Sequence, residues 1–152
     1  AQERNMRGGT ENVYGIVGLA KALELCYQEM DQHQQHIQGL KDYMIQELEK
    51  ALPGIAINGN RDAAQSLYTV LNVSLPKTEI ADMLLFSLDI AGVSASGGSA
   101  CSSGSEIGSH VLRALKCDSE RPSVRFSFSK YNTKEEVDFV VKTLKDLCEN
   151  HK

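Results

Sequence analysis

The chain has 152 residues, of which 41% are hydrophobic and 24% are charged, and its formal net charge is −4. This length fits one domain with its own core, and the composition is ordinary for a soluble globular protein. The acidic balance disfavours nucleic acid and anionic membrane as partners, and no run approaches the roughly 20 apolar residues that a membrane span needs.

A helical pattern runs from Glu11 to Leu52, and Pro53-Gly54 ends it. Forty helical residues would span about 60 Å, whereas a compact domain of this size has a radius of gyration of about 15 Å. The segment therefore either breaks into two helices or packs its first part on a surface outside this chain. We favour the second alternative, because "VYGIVGLAKALEL" is apolar enough to need a partner surface.

The rest of the chain alternates between strand and helix patterns. Period-2 alternation predicts strands at Ser66–Leu75 and Ser123–Ser129, and a short strand is expected around Val93. Helical spacing predicts helices at Lys77–Ala91, at 107–115 and after the capping box at Thr133, with Gly92 ending the first of them. We expect an α/β (α+β) fold, with a short mixed or antiparallel sheet and helices mainly on one face. We expect one domain over 1–152, with 31–152 as its compact part.

The four cysteines are widely spaced, at positions 26, 101, 117 and 148. This spacing argues against a zinc site or a disulfide framework and favours a reducing, cytoplasmic setting. Cys26 and Cys148 fall on apolar helix stripes, so we expect both to be buried structural thiols.

Cys101 lies in "SASGGSACSSGS", where every other residue is Ser, Gly or Ala. Such a composition is typical of a flexible linker, and a lone cysteine is usually structural. The position between a strand and a helix of one domain instead favours a mobile loop that carries a reactive thiol. The dipole of the following helix could lower the pKa of that thiol. No Lys or Arg lies within ten residues of Cys101, and the nearest ionisable base is His110.

Three other polar features have both a structural and a functional interpretation. Arg125 is either part of a solvated sheet face or a clamp that binds a carboxylate through its guanidinium. In "ERNMRGGTEN", Thr10 either caps a helix or helps to bind an anion such as phosphate. His33 and His36 share one helix face, where a solvated polar surface is the stronger interpretation than a metal site.

Three segments together resemble the NifS/IscS-type cysteine desulfurases, a class V, fold-type I group that depends on pyridoxal phosphate. They are "QERNMRGGTEN", "SGGSACSSGS" and "VRFSFSKYNTKEEVD", and they occur in the family's order and approximate spacing. The resemblance implies that the chain is the small C-terminal domain of such an enzyme, with 1–30 as the interdomain or dimer-facing segment. The parent reaction would convert L-cysteine to L-alanine and leave a persulfide for an iron–sulfur scaffold or another sulfur acceptor.

The resemblance also implies roles for single residues. Cys101 matches the nucleophile that takes the sulfur, and Arg125 matches the arginine that binds the substrate carboxylate. Thr10 matches the threonine that reaches the phosphate of the cofactor in the other subunit of a homodimer. The family's cofactor-binding lysine follows a histidine in a large domain, and the only His-Lys pair of this chain is 151–152. We therefore expect that large domain to be absent and the chain to be inactive alone.

Two alternatives remain open at this point. The parent could be another class V pyridoxal-phosphate enzyme, such as a selenocysteine lyase or an aminotransferase, although the long Ser/Gly loop argues against it. The chain could also be a non-enzymatic module that carries a persulfide or docks on a scaffold.

Overall fold

A computed structural model describes residues 3–98 and 109–150 of the chain. Within these ranges there are four α-helices, three β-strands and short 3₁₀ turns. In chain order they are α1 (Val13–Ala51), β1 (Ala56–Ile57), β2 (Val70–Ser74), α2 (Leu84–Ile90), α3 (His110–Ala114), β3 (Ser123–Ser127) and α4 (Lys134–Glu149), with 3₁₀ turns at Glu3–Asn5, Ala63–Gln65 and Ala81–Met83.

Helix α1 is a single helix of 39 residues, so the alternative of a break into two helices is wrong. Asn12 begins it: the backbone N–H of Gly15 donates to Asn12 Oδ1 over 3.1 Å. A Cβ atom at Gly15 would come within 2.7 Å of the Asn12 side chain, so the glycine leaves room for this cap. The chain falls into two units, residues 1–33 and 34–152.

The first unit exposes large apolar side chains along α1, each at least 41% accessible. They are Val13, Tyr14, Ile16, Val17, Leu19, Leu23, Leu25, Tyr27 and Met30. Cys26 is also exposed, which corrects the expectation of a buried structural thiol. The apolar stripe on which that expectation rested is not buried among the described residues 3–33, and the buried positions of α1 begin at Ile37.

The second unit contains a three-stranded antiparallel sheet in the order β1-β2-β3. The register pairs Leu71 with Phe126 and Val73 with Val124, and these four side chains are buried. They pack with the inner faces of α1, α2 and α4, so the helices cover the apolar side of the sheet and the predicted α/β architecture is confirmed. The prediction of a buried Cys148 is confirmed as well.

Several predicted element limits are wrong. Strand β2 begins at Val70 rather than Ser66, which leaves Leu67 63% exposed. Helix α2 begins only after a 3₁₀ turn, at Leu84 rather than Lys77. The two-residue strand β1 was not predicted, because its two residues are too few to show a period-2 pattern.

No strand forms around Val93, which also differs from the prediction. Instead, an isolated antiparallel bridge joins Ser96 to Arg125 on β3. The predicted helix at 107–115 appears as α3, without buried residues, and its first positions lie outside the described residues.

Candidate functional site

Arg125 lies in the middle of β3, on the side of the sheet that faces away from the core. Its neighbours Val124 and Phe126 are buried, so the alternation of the strand directs the arginine to the opposite face. The side chain is partly exposed there. The predicted alternation of this strand is therefore confirmed around the arginine.

The guanidinium of Arg125 is held from one side by Ser96. Arg125 Nε donates a hydrogen bond to Ser96 Oγ over 3.1 Å. The backbones of the two residues are paired as well: Arg125 N–H donates to the Ser96 carbonyl over 2.7 Å, and Ser96 N–H donates to the Arg125 carbonyl over 3.1 Å. Ser96 therefore contacts both the backbone and the guanidinium of Arg125.

The two terminal nitrogens of Arg125, Nη1 and Nη2, have no hydrogen-bond or ion-pair partner among residues 3–98 and 109–150. Arg121 provides a contrast in the same region, because its Nε and Nη2 donate to the carbonyl oxygens of Leu75 and Ser74 over 2.8 and 2.9 Å. Arg121 therefore has a structural role. Arg125 presents an open two-pronged donor, which matches the geometry of a carboxylate.

Polar but uncharged side chains surround Arg125 on this face of the sheet. Asn72 is its register partner on β2, and Asn72 Oδ1 accepts a hydrogen bond from Asn58 Nδ2 over 2.7 Å. Asn58 Nδ2 also donates to Ser74 Oγ over 2.9 Å, and Ser74 Oγ lies 3.0 Å from Ser123 Oγ. These groups hydrogen-bond to one another, so they form a neutral network that does not compete for the charge of the arginine.

Thr10 lies just before α1, and it does not cap the helix, since Asn12 does. Thr10 is exposed, and its hydroxyl has no hydrogen-bond partner among the described residues. Nothing lies within 4 Å of the Cβ positions of Gly8 and Gly9, and Arg7 Nη1 donates to their carbonyl oxygens over 3.3 and 3.4 Å. The N-capping interpretation is thereby removed, while a role in anion binding stays a prediction.

Cys101 lies outside the described residues. His110, the nearest base in sequence, is exposed and begins α3. This helix has only five residues, and Ser109 Oγ already accepts the hydrogen bond of Leu112 N–H over 3.4 Å. A helix this short has a small dipole, so α3 gives little support to the idea that it activates a thiol.

The paired histidines have different partners. His33 Nε2 lies 3.1 Å from Glu29 Oε2, whereas His36 Nε2 lies 3.0 Å from the carbonyl oxygen of Asn132. Over residues 3–98 and 109–150, no three His, Cys, Asp or Glu side chains come together as metal ligands. No helix in the same ranges is long and apolar enough to cross a membrane.

Lys41 is a buried lysine that the sequence pattern did not reveal. It is 6% exposed, and its Nζ donates to Ser66 Oγ over 2.7 Å and to the Leu67 carbonyl over 2.8 Å. Burial lowers the pKa of this amine, and the charge of Asp42 partly opposes that effect. Because both bonds tie α1 to the loop before β2, we assign Lys41 a structural role.

A groove of about 510 Å³ lies between α4 and the end of β3, lined by apolar side chains such as Phe126 and Val140. Glu135 and Glu136 line it at the beginning of α4. Hydrogen bonds lower the pKa of both carboxyl groups: for Glu135 mainly its own backbone N–H, and for Glu136 mainly the Asn132 side chain. Both therefore stay charged at neutral pH and disfavour a carboxylate ligand in this groove.

The sequence pattern of the family described as Aminotransferase class-V matches residues 1–140. The chain belongs to the aminotransferase class-V family. Similar members include Cysteine desulfurase IscS of Dictyoglomus turgidum, 40% identical over 98% of this chain, and Putative cysteine desulfurase IscS 1 of Bacillus subtilis, 42% identical over 96% of it. Arg125 and Thr10 both lie within the part of the chain that matches this family.

Solved structures agree with this class-V assignment. A NifS-like protein is similar with a TM-score of 0.74 at 31% identity, over 98% of this chain and 37% of that chain. A NifS-like protein from Rickettsia africae is similar with a TM-score of 0.76 at 25% identity, over 97% of this chain and 38% of that chain. The chain spans 38% of the length of the two curated relatives.

Proposed function

We propose that this chain is the C-terminal part of a pyridoxal-phosphate-dependent cysteine desulfurase. The parent enzyme would convert L-cysteine to L-alanine and place the sulfur on Cys101 as a persulfide. The observation that carries this proposal is the open fork of Arg125, held by Ser96 at one side of the sheet. The names of the similar class-V proteins support the same reaction.

In this proposal, Arg125 binds the α-carboxylate of L-cysteine. Its Nε is engaged by Ser96, so the carboxylate meets the end of the guanidinium, where Nη1 and Nη2 can donate two parallel hydrogen bonds. The neutral network formed by Asn58, Asn72 and Ser74 leaves the positive charge of the arginine uncompensated. A negatively charged ligand is therefore favoured at this position.

Cys101 takes up the sulfur of the bound cysteine. A bond forms between the two sulfur atoms while the Cβ–S bond of the substrate breaks, and the carbon keeps the electron pair and gains a proton, which yields L-alanine. Cys101 follows Ser96 by five residues, and chain length alone limits the distance between their Cα atoms to about 18 Å. The thiol is thus tethered to the residue that holds the arginine.

The proposed cofactor is pyridoxal phosphate, and we expect the lysine that binds it in the large domain of the parent enzyme. The residues present fit the phosphate, because Thr10 offers a free hydroxyl and no atom lies within 4 Å of the Cβ positions of the neighbouring Gly8 and Gly9. When bound, pyridoxal phosphate supplies the electron sink that makes the Cβ–S bond breakable. In the proposed homodimer, Thr10 holds the phosphate of the other subunit's cofactor. We further propose a cytoplasmic enzyme that passes its persulfide to an iron–sulfur scaffold or another sulfur acceptor.

The test uses the full-length polypeptide that carries this chain, loaded with its cofactor. Hydrogen bonds to a charged group contribute about 1.5–3 kcal/mol each, so losing two in Arg125→Ala should lower kcat/KM for L-cysteine by about a hundredfold to ten-thousandfold. Arg125→Lys should recover only part of this loss, because an ammonium cannot form the fork. Ser127→Ala, on the same face of β3, is the matched control and should behave like the unmodified enzyme.

The role of Cys101 is tested in the same preparation with ³⁵S-labelled L-cysteine. Cys101→Ala should leave no label on the protein, whereas Cys117→Ala should leave labelling unchanged. An unchanged kcat/KM in Arg125→Ala would remove the carboxylate clamp. Label that stays on the Cys101→Ala protein would remove the proposed nucleophile.

A further inference from the structure

We propose that Ser96 is a positioning residue that orients the guanidinium of Arg125 for carboxylate binding. This inference rests on the proposed function, because it concerns the same substrate contact. Ser96 lies on the segment between α2 and the Ser/Gly-rich run, 29 residues before the arginine in sequence.

The hydroxyl of Ser96 bridges two groups of the same arginine. Its oxygen accepts a hydrogen bond from Arg125 Nε over 3.1 Å, and it donates to the carbonyl oxygen of Arg125 over 3.4 Å. The two backbone hydrogen bonds of 2.7 and 3.1 Å place the serine directly opposite the arginine. Backbone pairing thus sets the position of the hydroxyl, and the hydroxyl sets the orientation of the side chain.

Ser96 is itself held in place by the packing around it. The next residue, Gly97, passes so close to α2 that a Cβ atom there would lie 2.8 Å from Leu85 Cδ1 and 3.4 Å from the carbonyl oxygen of Ser123. On the other side, Val93 is buried in the core. The hydroxyl is therefore presented by a well-packed backbone segment.

An arginine side chain has several rotatable bonds, and fixing it at the moment of binding costs affinity. No other described side chain makes a hydrogen bond or ion pair with the guanidinium, so within residues 3–98 and 109–150 Ser96 supplies the hydrogen bond that orients it. By engaging Nε, Ser96 also removes the side-on binding edge formed by Nε and one Nη. A carboxylate is then restricted to the end-on edge formed by Nη1 and Nη2.

The experiment measures kcat and KM for L-cysteine in the full-length, cofactor-loaded enzyme. Ser96→Ala should raise KM about five- to tenfold, the factor expected when one side chain must be ordered by the substrate, and should change kcat less than twofold. Ser96→Thr keeps the hydroxyl and should stay within twofold of the unmodified KM. Ser94→Ala is the matched control, because Ser94 is an exposed serine two residues away without a hydrogen-bond partner among the described residues.

A double-mutant cycle separates positioning from a general loss of structure. In an Arg125→Ala background, Ser96→Ala should cause no further fall in kcat/KM, because there is no guanidinium left to orient. The inference would be overturned if Ser96→Ala lowered kcat/KM equally in the unmodified enzyme and in the Arg125→Ala background. It would also be overturned if the KM of Ser96→Ala stayed within twofold of the unmodified value. If Arg125→Ala alone leaves kcat/KM unchanged, the proposed carboxylate clamp itself is wrong. A large effect of Arg125→Ala without an effect of Ser96→Ala would overturn only the positioning role.

Discussion

Gly92 determines how the chain leaves α2 and enters the segment that holds Arg125. Its φ is +83°, in the left-handed region. The N–H of Gly92 donates to the Asp89 carbonyl over 2.9 Å, and the N–H of Val93 donates to the Leu88 carbonyl over 2.8 Å. These two bonds form a Schellman motif, and Leu88 and Val93 are both buried in the core. The predicted helix end at this glycine is confirmed.

The effect of Gly92→Ala follows from two opposing terms. A non-glycine residue in the left-handed region lowers the free energy of unfolding by about 1–2 kcal/mol. Replacing glycine by alanine also restricts the unfolded chain, which raises the free energy of unfolding by about 0.4–1 kcal/mol. No atom lies within 4 Å of a Cβ at this position, so no clash is added. We expect the variant to lose about 1 kcal/mol of unfolding free energy.

Gly39→Ala is the matched control, because the same change is made in the interior of α1. Gly39 is exposed, and its Cβ position is also open. Alanine is better than glycine by about 0.5–1 kcal/mol in a helix, so this variant should be more stable than the unmodified chain. The two variants should therefore differ by about 1.5–2 kcal/mol, with opposite signs relative to the parent chain.

Equilibrium unfolding of the 152-residue chain in urea, followed by circular dichroism, measures both changes. With an m-value of about 2 kcal/mol/M, the two midpoints should lie nearly 1 M apart, while m itself stays the same. The reasoning is refuted if Gly92→Ala is at least as stable as the parent chain while Gly39→Ala shows its expected gain. That result would mean that position 92 does not adopt a left-handed conformation.

Two further predictions concern the beginning of α4. Thr133→Ala removes the hydrogen bond from Glu136 N–H to Thr133 Oγ1, 3.3 Å long, and should cost about 1 kcal/mol in urea unfolding; no loss would contradict the capping box. The pKa of Glu136 is lowered from 4.5, mainly by the Asn132 side chain, so its contribution to stability is present above pH 4.5 and is lost as the pH falls through the folded-state value. In Glu136→Gln this acid-side decline should be shallower, and an identical pH profile would contradict the assignment.

The parts of the fold that could be predicted are those whose pattern is long enough to show a period. The alternation of β3 and the capping box of α4 are both present as predicted. At α2, the apolar spacing continued back to Lys77, but Thr78 forms a turn in which its hydroxyl accepts from Ile80 N–H over 3.4 Å. Side-chain competition of this kind is not visible in hydrophobic spacing, so the predicted helix began too early.

For the candidate site, the sequence indicated Arg125 but not Ser96. In the sequence, alternation with apolar neighbours is enough to place an arginine on the polar face of a strand. Its partner is far away in sequence and is one of several serines in a run of similar composition. Only the pairing of Ser96 with β3 distinguishes it from Ser94, and that pairing depends on tertiary structure. The exposure of Cys26 was not predicted for a related reason. An apolar stripe in the sequence does not identify the surface that would cover the stripe.

The position of Arg125 is determined by the same contacts that form the core. Pairing of β2 with β3 buries Val73 against Val124, and a slip of one residue would move Arg125 to the core side of the sheet. Burial of an unpaired guanidinium is so costly that this slip is excluded. The register that gives the lowest free energy is therefore also the one that brings Arg125 opposite Ser96. Core packing thus fixes which way the arginine faces, and the hydroxyl of Ser96 fixes which edge of the guanidinium remains for a ligand.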